Sequence, residues 1–307
     1  MINWFLILQR INILILLIAI FLSSCTEKKE VIHAPKVPVK EIKKPELKIA
    51  YKNAHIKSRR ILGELKEKFG DKGMRQVLAL NRMDTRHIVI GDSICIPDTL
   101  PDDWFYFSPF PEKVTALDSI QKILIFSYRV QAFAAYENGK LIRWGPTSLG
   151  KRSTPTPLGL YFTNWKAKET ISTVNDEWIL PWAFNIDNFN GISIHQFELP
   201  GYPASHSCAR LLQQDAEWIY YWAEQWILSK DGSRAKASGT PVIIYGKYNF
   251  HSPPPWKLLP ENSDADKIDT LELNSIVKDY LPEIIERKNQ RDSLLNSMRK
   301  DSTDKRE

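Results

Sequence analysis

Two segments decide how this chain is read: Ile192-Ser193-Ile194-His195-Gln196 and, after a loop holding Pro200, Gly201 and Pro203, Ser205-His206-Ser207-Cys208-Ala209-Arg210-Leu211. The first alternates apolar and polar residues, the period of a strand with one buried face, and its last turn outward is a histidine. The second sets a cysteine between His206 and Arg210. A thiol becomes a strong nucleophile where a base takes its proton or a nearby charge favours the thiolate, and imidazole does both. The turn-forming residues between the segments let the chain fold back, so that a strand-end base and a loop nucleophile converge. A structural core thiol seldom has Ser, His and Arg as neighbours, and Cys208 therefore reads as a thiolate nucleophile with His195 as its base. Zinc is a second chemical reading, because His195, His206 and Cys208 offer three ligands and leave a position for water.

Outward from these segments, 122–136 alternates strongly and meets 140–144 across Glu137-Asn138-Gly139, the Asn-Gly signal of a tight hairpin. Further strands are expected at 159–162, 191–195 and 241–245. Residues 215–228 read as a helix with Trp218, Trp222 and Trp226 in one stripe beside Ile219 and Ile227. The aromatic run 178–184 offers Trp182 either as a groove wall or as core. Nearer the N-terminus, Ile61, Leu62, Leu65 and Phe69 stand at helical spacing, Val77, Leu78 and Leu80 follow, and 88–96 is strand-like, which predicts two helices and a strand. Cys95 falls in that strand and reads as a small buried apolar thiol. The fold class expected is α+β: a β-rich domain preceded by a small helix and strand module.

Ser205-His206-Ser207-Cys208-Ala209-Arg210 resembles the Ser-His-Gly-Cys-Val-Arg/Asn signature of the L,D-transpeptidase (YkuD-like) catalytic domain, with His195 as the partner histidine. Gly150-Lys151-Arg152 with Thr154-Pro155-Thr156-Pro157-Leu158-Gly159 resembles that family's glycine and Thr-Pro loop, 128–143 its opening hairpin, and Gly239-Thr240-Pro241-Val242 its closing strand. The likeness spans roughly 121–246, in several ordered motifs. It implies that Cys208 is the acyl-accepting nucleophile, His195 its base, and the main-chain carbonyl of Gln196 the group that orients the imidazole. His206 would shape the site, the backbone N–H groups of His206, Ser207 and Cys208 would form an oxyanion hole, and Arg210, with Ser205 and Trp182, would meet the substrate. A guanidinium fork suits a carboxylate-bearing peptide. The partners implied are peptidoglycan stem peptides, with no metal or organic cofactor. Two departures stand out: Ser207 occupies the usual glycine position, and Gln196-Phe197 replaces Gly-Thr. With water as acceptor the same cysteine would make a carboxypeptidase; with no chemistry at all, the chain would be a wall-binding tether.

The ends carry addresses and linkers. In 1–24, Arg10 precedes a short apolar run, the order of a secretory signal, and Leu22-Ser23-Ser24-Cys25 resembles the lipobox in which Cys25 is acylated. A polar, proline-bearing tether is expected over 25–50. Within 51–100, Leu80-Asn81-Arg82-Met83 and 90–97 resemble the second half of a LysM peptidoglycan-binding module. A connector follows at 101–120, the catalytic domain at 121–247, and a charged tail at 248–307 whose helix Pro282 should interrupt. The net charge of +6 suits an anionic surface or acidic substrate without nucleic acid. The expected protein is a lipid-anchored monomer of the cell envelope.

Overall fold

The computed structural model describes residues 48–172 and 174–303, so the expected signal sequence, Cys25 and nearly all of the expected tether lie outside the described residues. The described chain opens with strand β1 (Tyr51–His55), helix α1 (Arg59–Leu80) and strand β2 (Ser93–Pro97), with β1 antiparallel to β2. Helix α1 is two helical runs joined at Gly70, whose φ of 65° is a conformation that glycine adopts without strain. Strand β1 was not foreseen: its exposed Lys52 and Asn53 give it no apolar alternation. The strand expected over 88–96 is shorter, because the backbone turns at Gly91 (φ 106°) and Asp92 holds the Val89 N–H.

Nine strands then form one curled sheet: β3 (Ile123–Ser127), β4 (Ala132–Glu137), β5 (Lys140–Ser148), β6 (Gly159–Phe162), β7 (Lys166–Ile171), β8 (Ile179–Asp187), β9 (Ile192–Gln196), β10 (Ala209–Leu211) and, last in the chain, β13 (Pro241–Tyr245). Their spatial order is β6-β13-β3-β4-β5-β10-β9-β8-β7, with β13 parallel to β3 and β10 parallel to β9. The alternating run at 122–136 is therefore two strands, parted by a turn at buried Gln131 (φ 43°). The Asn138-Gly139 hairpin forms as expected, both residues having positive φ. Between β10 and β13 lie helix α2 (Gln213–Trp222) and a small ribbon of β11 (Ile227–Leu228) and β12 (Ala235–Ala237). Helix α2 stops at Trp222, since Ala223 is extended. Trp218 and Trp222 stack at 4.9 Å, while Trp226 leaves the stripe.

Period-2 alternation sorts the sheet's side chains into two cores. Leu124, Phe126, Phe133, Ala135, Val242 and Ile244 face one, where Ile192, Ile194, Ala209 and Leu211 of the curled-back half meet them. Ile123, Ile125, Ala134, Tyr136 and Ile243 face the other. That second core also takes Phe107, Phe110, Val114 and Leu117 from the connector, Trp256 from the tail, and Leu273, Val277 and Ile284 from helix α3 (Thr270–Thr303). Pro282 does not break α3: Val277 and Ile284 are buried on either side of it, and their packing outweighs the hydrogen bond that proline removes.

One buried cation joins the parts. Arg82, fully buried at positive φ, donates to the carbonyls of Leu80 (2.8 Å) and Val130 (2.7 Å) and pairs with Asp266 at 2.9 Å. The carboxylate, itself 2% exposed, meets the charge that burial would otherwise forbid.

Candidate active site

Strand register places the site. Ala209 pairs with Ile194 and Arg210 with His195 in parallel, so neighbouring side chains at one level point to the same face. Ile194 and Ala209 face the core; Ser193, His195 and Phe197 on one strand line, with Cys208 and Arg210 beside them, face outward. Cys208, His195, His206, Arg210 and Ser205 line one cleft, closed over by Ser172, Val174 and Trp178 from the β7–β8 loop. The cleft is small, about 30 Å³, and open on one side.

His195 is 3% exposed, and its Nδ1 lies 2.9 Å from the Gln196 carbonyl oxygen. A carbonyl only accepts, so Nδ1 carries the proton and Nε2 presents a lone pair. Burial lowers the imidazole pKa to about 4, against the Gln196 contact, and Arg210 lowers it further. The ring is thus neutral at neutral pH. Cys208 differs from the expected thiolate. Burial pushes its thiol up, opposed by the Ser193 N–H and the Arg210 guanidinium, and Sγ lies 3.8 Å from the Gly191 carbonyl with no hydrogen bond to His195 among the described residues. The resting pair is a neutral thiol beside a neutral base, because this pocket excludes the water that would solvate an ion pair.

His206 brings in a residue that the sequence reading quoted without assigning it a role. The Lys151 ammonium, a donor only, sits 2.8 Å from His206 Nε2, so the neutral ring carries its proton on Nδ1. Partial burial, then Lys151 and Arg210, lower its pKa and keep it neutral. Nδ1 is buried and has no partner among the described residues, a donor left over at the cleft. Lys151 is held by a rigid loop: its N–H donates to Ser205 O (2.9 Å), and Gly150 is packed so closely that a Cβ there would lie 2.3 Å from Thr154 O.

Other expected site residues divide. Arg210 lies half-buried with its guanidinium 4.5 Å over the Phe197 ring, which also meets His195 edge-on. Ser205 lines the cleft, but its hydroxyl donates to Cys208 O at 2.5 Å and braces the turn. Ser207 has φ 94°, a conformation natural to glycine and strained for serine. Trp182 does not line the cleft; it packs on Tyr220 and Tyr221 of α2. The tryptophan at the cleft is Trp178, 5.2 Å from His206. Its position in the same aromatic run, and the outward phase of Phe197 after Ser193 and His195, were the signals available for both. Among the described residues no three His, Cys, Asp or Glu side chains are grouped to hold a metal, so His195, His206 and Cys208 form no ligand set.

Residues 121–244, which carry the cleft and all nine strands of the curled sheet, match the family model of the L,D-transpeptidase catalytic domain, the YkuD domain. Among solved structures, an L,D-transpeptidase from Mycobacterium smegmatis is 19% identical, with a TM-score of 0.33 over 41% of this chain and 59% of its own. One from Stackebrandtia nassauensis is 20% identical, with a TM-score of 0.34 over 42% and 57%. One from Mycobacterium tuberculosis is 22% identical, with a TM-score of 0.33 over 41% and 58%. The chain thus spans less than three fifths of the length of each of these three. No curated protein matches it.

Proposed function

We propose that this chain is a cysteine L,D-transpeptidase of peptidoglycan. The observation that carries the reading is the meeting of Cys208 with a His195 whose Nε2 lone pair is fixed by Gln196, in one cleft with Arg210. Cys208 Sγ attacks the carbonyl after the third residue of a stem tetrapeptide while its proton passes to His195 Nε2. The oxyanion takes hydrogen bonds from backbone N–H groups of His206, Ser207 and Cys208, each such donor being worth about 10²–10³ in rate. The tetrahedral species collapses to a thioester, and the departing D-amino acid amine leaves with the proton from His195. A second amine then attacks the thioester, giving its proton to His195 and returning the thiol. Arg210 meets a stem carboxylate and orients the donor.

The lipid anchor at Cys25 and a cell-envelope location belong to the same proposal, supported by the sequence order of signal, tether and domain.

The test is incubation of the purified protein with disaccharide tetrapeptide, followed by intact mass. Expected are a thioester on Cys208 and, with a D-amino acid or second stem present, a new amide product. A tripeptide product with every amine acceptor tried makes it a carboxypeptidase instead. Absence of any adduct, with carbapenem β-lactams also failing to acylate Cys208, removes the acyl-transfer reading altogether.

A further inference from the structure

Between His195 and Cys208 the chain leaves β9 at Gln196 and does not rejoin the sheet until β10, and the first residues of that loop touch both sides of the site. The Phe197 ring meets His195 edge-on at 5.9 Å and lies 4.5 Å from the Arg210 guanidinium. Burial lowers the Arg210 pKa, and of the charges opposing that effect Glu198 is the strongest, although the two make no ion pair among the described residues. The path of 197–199 therefore decides how the base and the cation of the cleft stand.

The curled sheet holds that segment only at its start, where the Phe197 N–H donates to Leu211 O at 3.1 Å. Among the described residues, the hydrogen bonds and ion pairs of Glu198 and Leu199 all go to residues 84–87, in the turn after α1. Asp84 grips Leu199 at two points: its N–H donates to Leu199 O at 2.9 Å, and its Oδ2 accepts from the Leu199 N–H at 2.9 Å. Its Oδ1 accepts from the Arg86 N–H and from His87 Nδ1, each at 2.8 Å. Arg86 and His87 then reach the Glu198 carboxylate at 3.3 and 3.5 Å, and Met83 bridges Pro200. Burial acts to raise the Asp84 carboxyl, but its hydrogen bonds, that from Leu199 first, hold it below the usual carboxylate range. It is therefore ionised, and both oxygens accept.

The ion pairs to Glu198 are exposed and weak anchors. The clasp on Leu199 is different, since that residue is wholly buried and both its main-chain groups are taken. A carboxylate that only fastened one part of the chain to another could grip anywhere; this one grips two residues beyond the ring that touches His195 and Arg210. We propose that Asp84 is a positioning residue for acyl transfer at Cys208: by fixing the main chain of Leu199 it holds Phe197 against His195 and Arg210. Residues 83–87 are on this account part of the frame of the site, and the role rests on the acyl-transfer reading above.

The experiment follows acylation of the full chain by a carbapenem, as mass gain against time, beside hydrogen exchange read peptide by peptide. Asp84→Ala removes the acceptor, Asp84→Asn keeps one acceptor oxygen, and Glu64→Ala, in an exposed ion pair of α1, is the control. At saturating carbapenem Asp84→Ala is expected to acylate at least about tenfold more slowly than the parent, Asp84→Asn to lose less, and Glu64→Ala to match the parent. Exchange should rise in 197–203 of Asp84→Ala while 123–137 keeps its protection, which separates a displaced loop from a loosened fold. Should Asp84→Ala not fold, Asp84→Asn decides by the same two readouts. A folded variant that acylates as fast as the parent, or one that loses rate only with equal loss of protection across 123–137, overturns the role. A parent that takes up neither carbapenem nor stem peptide overturns the acyl-transfer reading itself and the role with it.

Discussion

Cys95 and Cys208 both sit at strands, and burial raises both thiols, yet their surroundings separate them. Cys95, at 0% exposure on β2, has its backbone clasped by Asn81, which takes its N–H at 2.8 Å and donates to its carbonyl at 2.7 Å. Burial and then the Asp266 carboxylate push its thiol up to about 12, with Arg82 in opposition. Around Cys208 the secondary influences have the other sign, from the Ser193 N–H and Arg210, and a proton acceptor lines the same cleft. On the proposed reading, a low resting thiol pKa is therefore not what singles out Cys208. What singles it out is a lone pair of fixed tautomer in the same cleft, which under the proposed mechanism takes the proton as the sulfur attacks.

The sharpest way to break that contrast is to exchange its members. Cys208→Ala is expected to lower acyl transfer by more than roughly 10³-fold, as removal of a nucleophile does, with no adduct by mass. Cys95→Ala should keep the adduct and lose only about 1 kcal/mol of stability for the small cavity left. Adduct formation in Cys208→Ala, but not in Cys95→Ala, would reverse the assignment. Next in size is the ion pair beside Cys95. Arg82→Ala leaves Asp266 buried alone, and a loss of about 3–5 kcal/mol is expected in urea denaturation, while the folded fraction still acylates.

What was legible in the sequence follows this same division. Strands with one core-facing side announce themselves, which is why β9 and the outward phase of His195 could be read from Ile192, Ile194 and their polar neighbours. So could Cys95, alternating with its strand. The protonation states could not, because they depend on how far the curled sheet and Trp178 exclude water. Trp182 was misplaced for a related reason: its φ of 54° turns it toward Tyr220 and Tyr221, and no alternation rule foresees a left-handed residue inside a strand. The tail was legible as a charged helix but not as a docked one, because Leu273, Val277 and Ile284 mark one apolar face among dense charges without saying what covers it.

The neutral resting pair is tested by pH. His195 is active when neutral, so the rate of Cys208 acylation should hold level down to about pH 5 and fall tenfold per unit below about 4. An acid limb near 6.5 would show a hydrated, ordinary imidazole. Stability is the poorer probe. The depressed His195 contributes fully above 6.5 and loses stability as pH falls through about 4, whereas Asp215, raised to about 6 chiefly by burial, contributes below 3.8 and loses as pH rises through about 6. The two slopes oppose each other over most of that range. Smaller still is the effect of Lys151→Met, which frees His206 Nε2 and lets both tautomers form. About a fivefold loss in acylation rate is expected, the worth of one hydrogen bond, together with a shift of the His206 ring nitrogens in NMR. A changed rate with unchanged nitrogen signals would mean that Lys151 acts by charge alone.

Ser207 gives the finest distinction between the two cysteine environments, because the strain lies one residue from one sulfur and nowhere near the other. A serine at φ 94° costs about 1–3 kcal/mol, and glycine removes that while adding about 0.5–1 kcal/mol of unfolded-chain entropy. Ser207→Gly should therefore stabilise the fold by about 1 kcal/mol, seen as a higher urea midpoint at unchanged slope. If the midpoint falls instead, the turn before Cys208 is held by the serine side chain, and the strain is not relieved by glycine. Should the midpoint rise while acylation slows, the strained turn is part of how the sulfur is presented, and stability has been exchanged for geometry at the nucleophile.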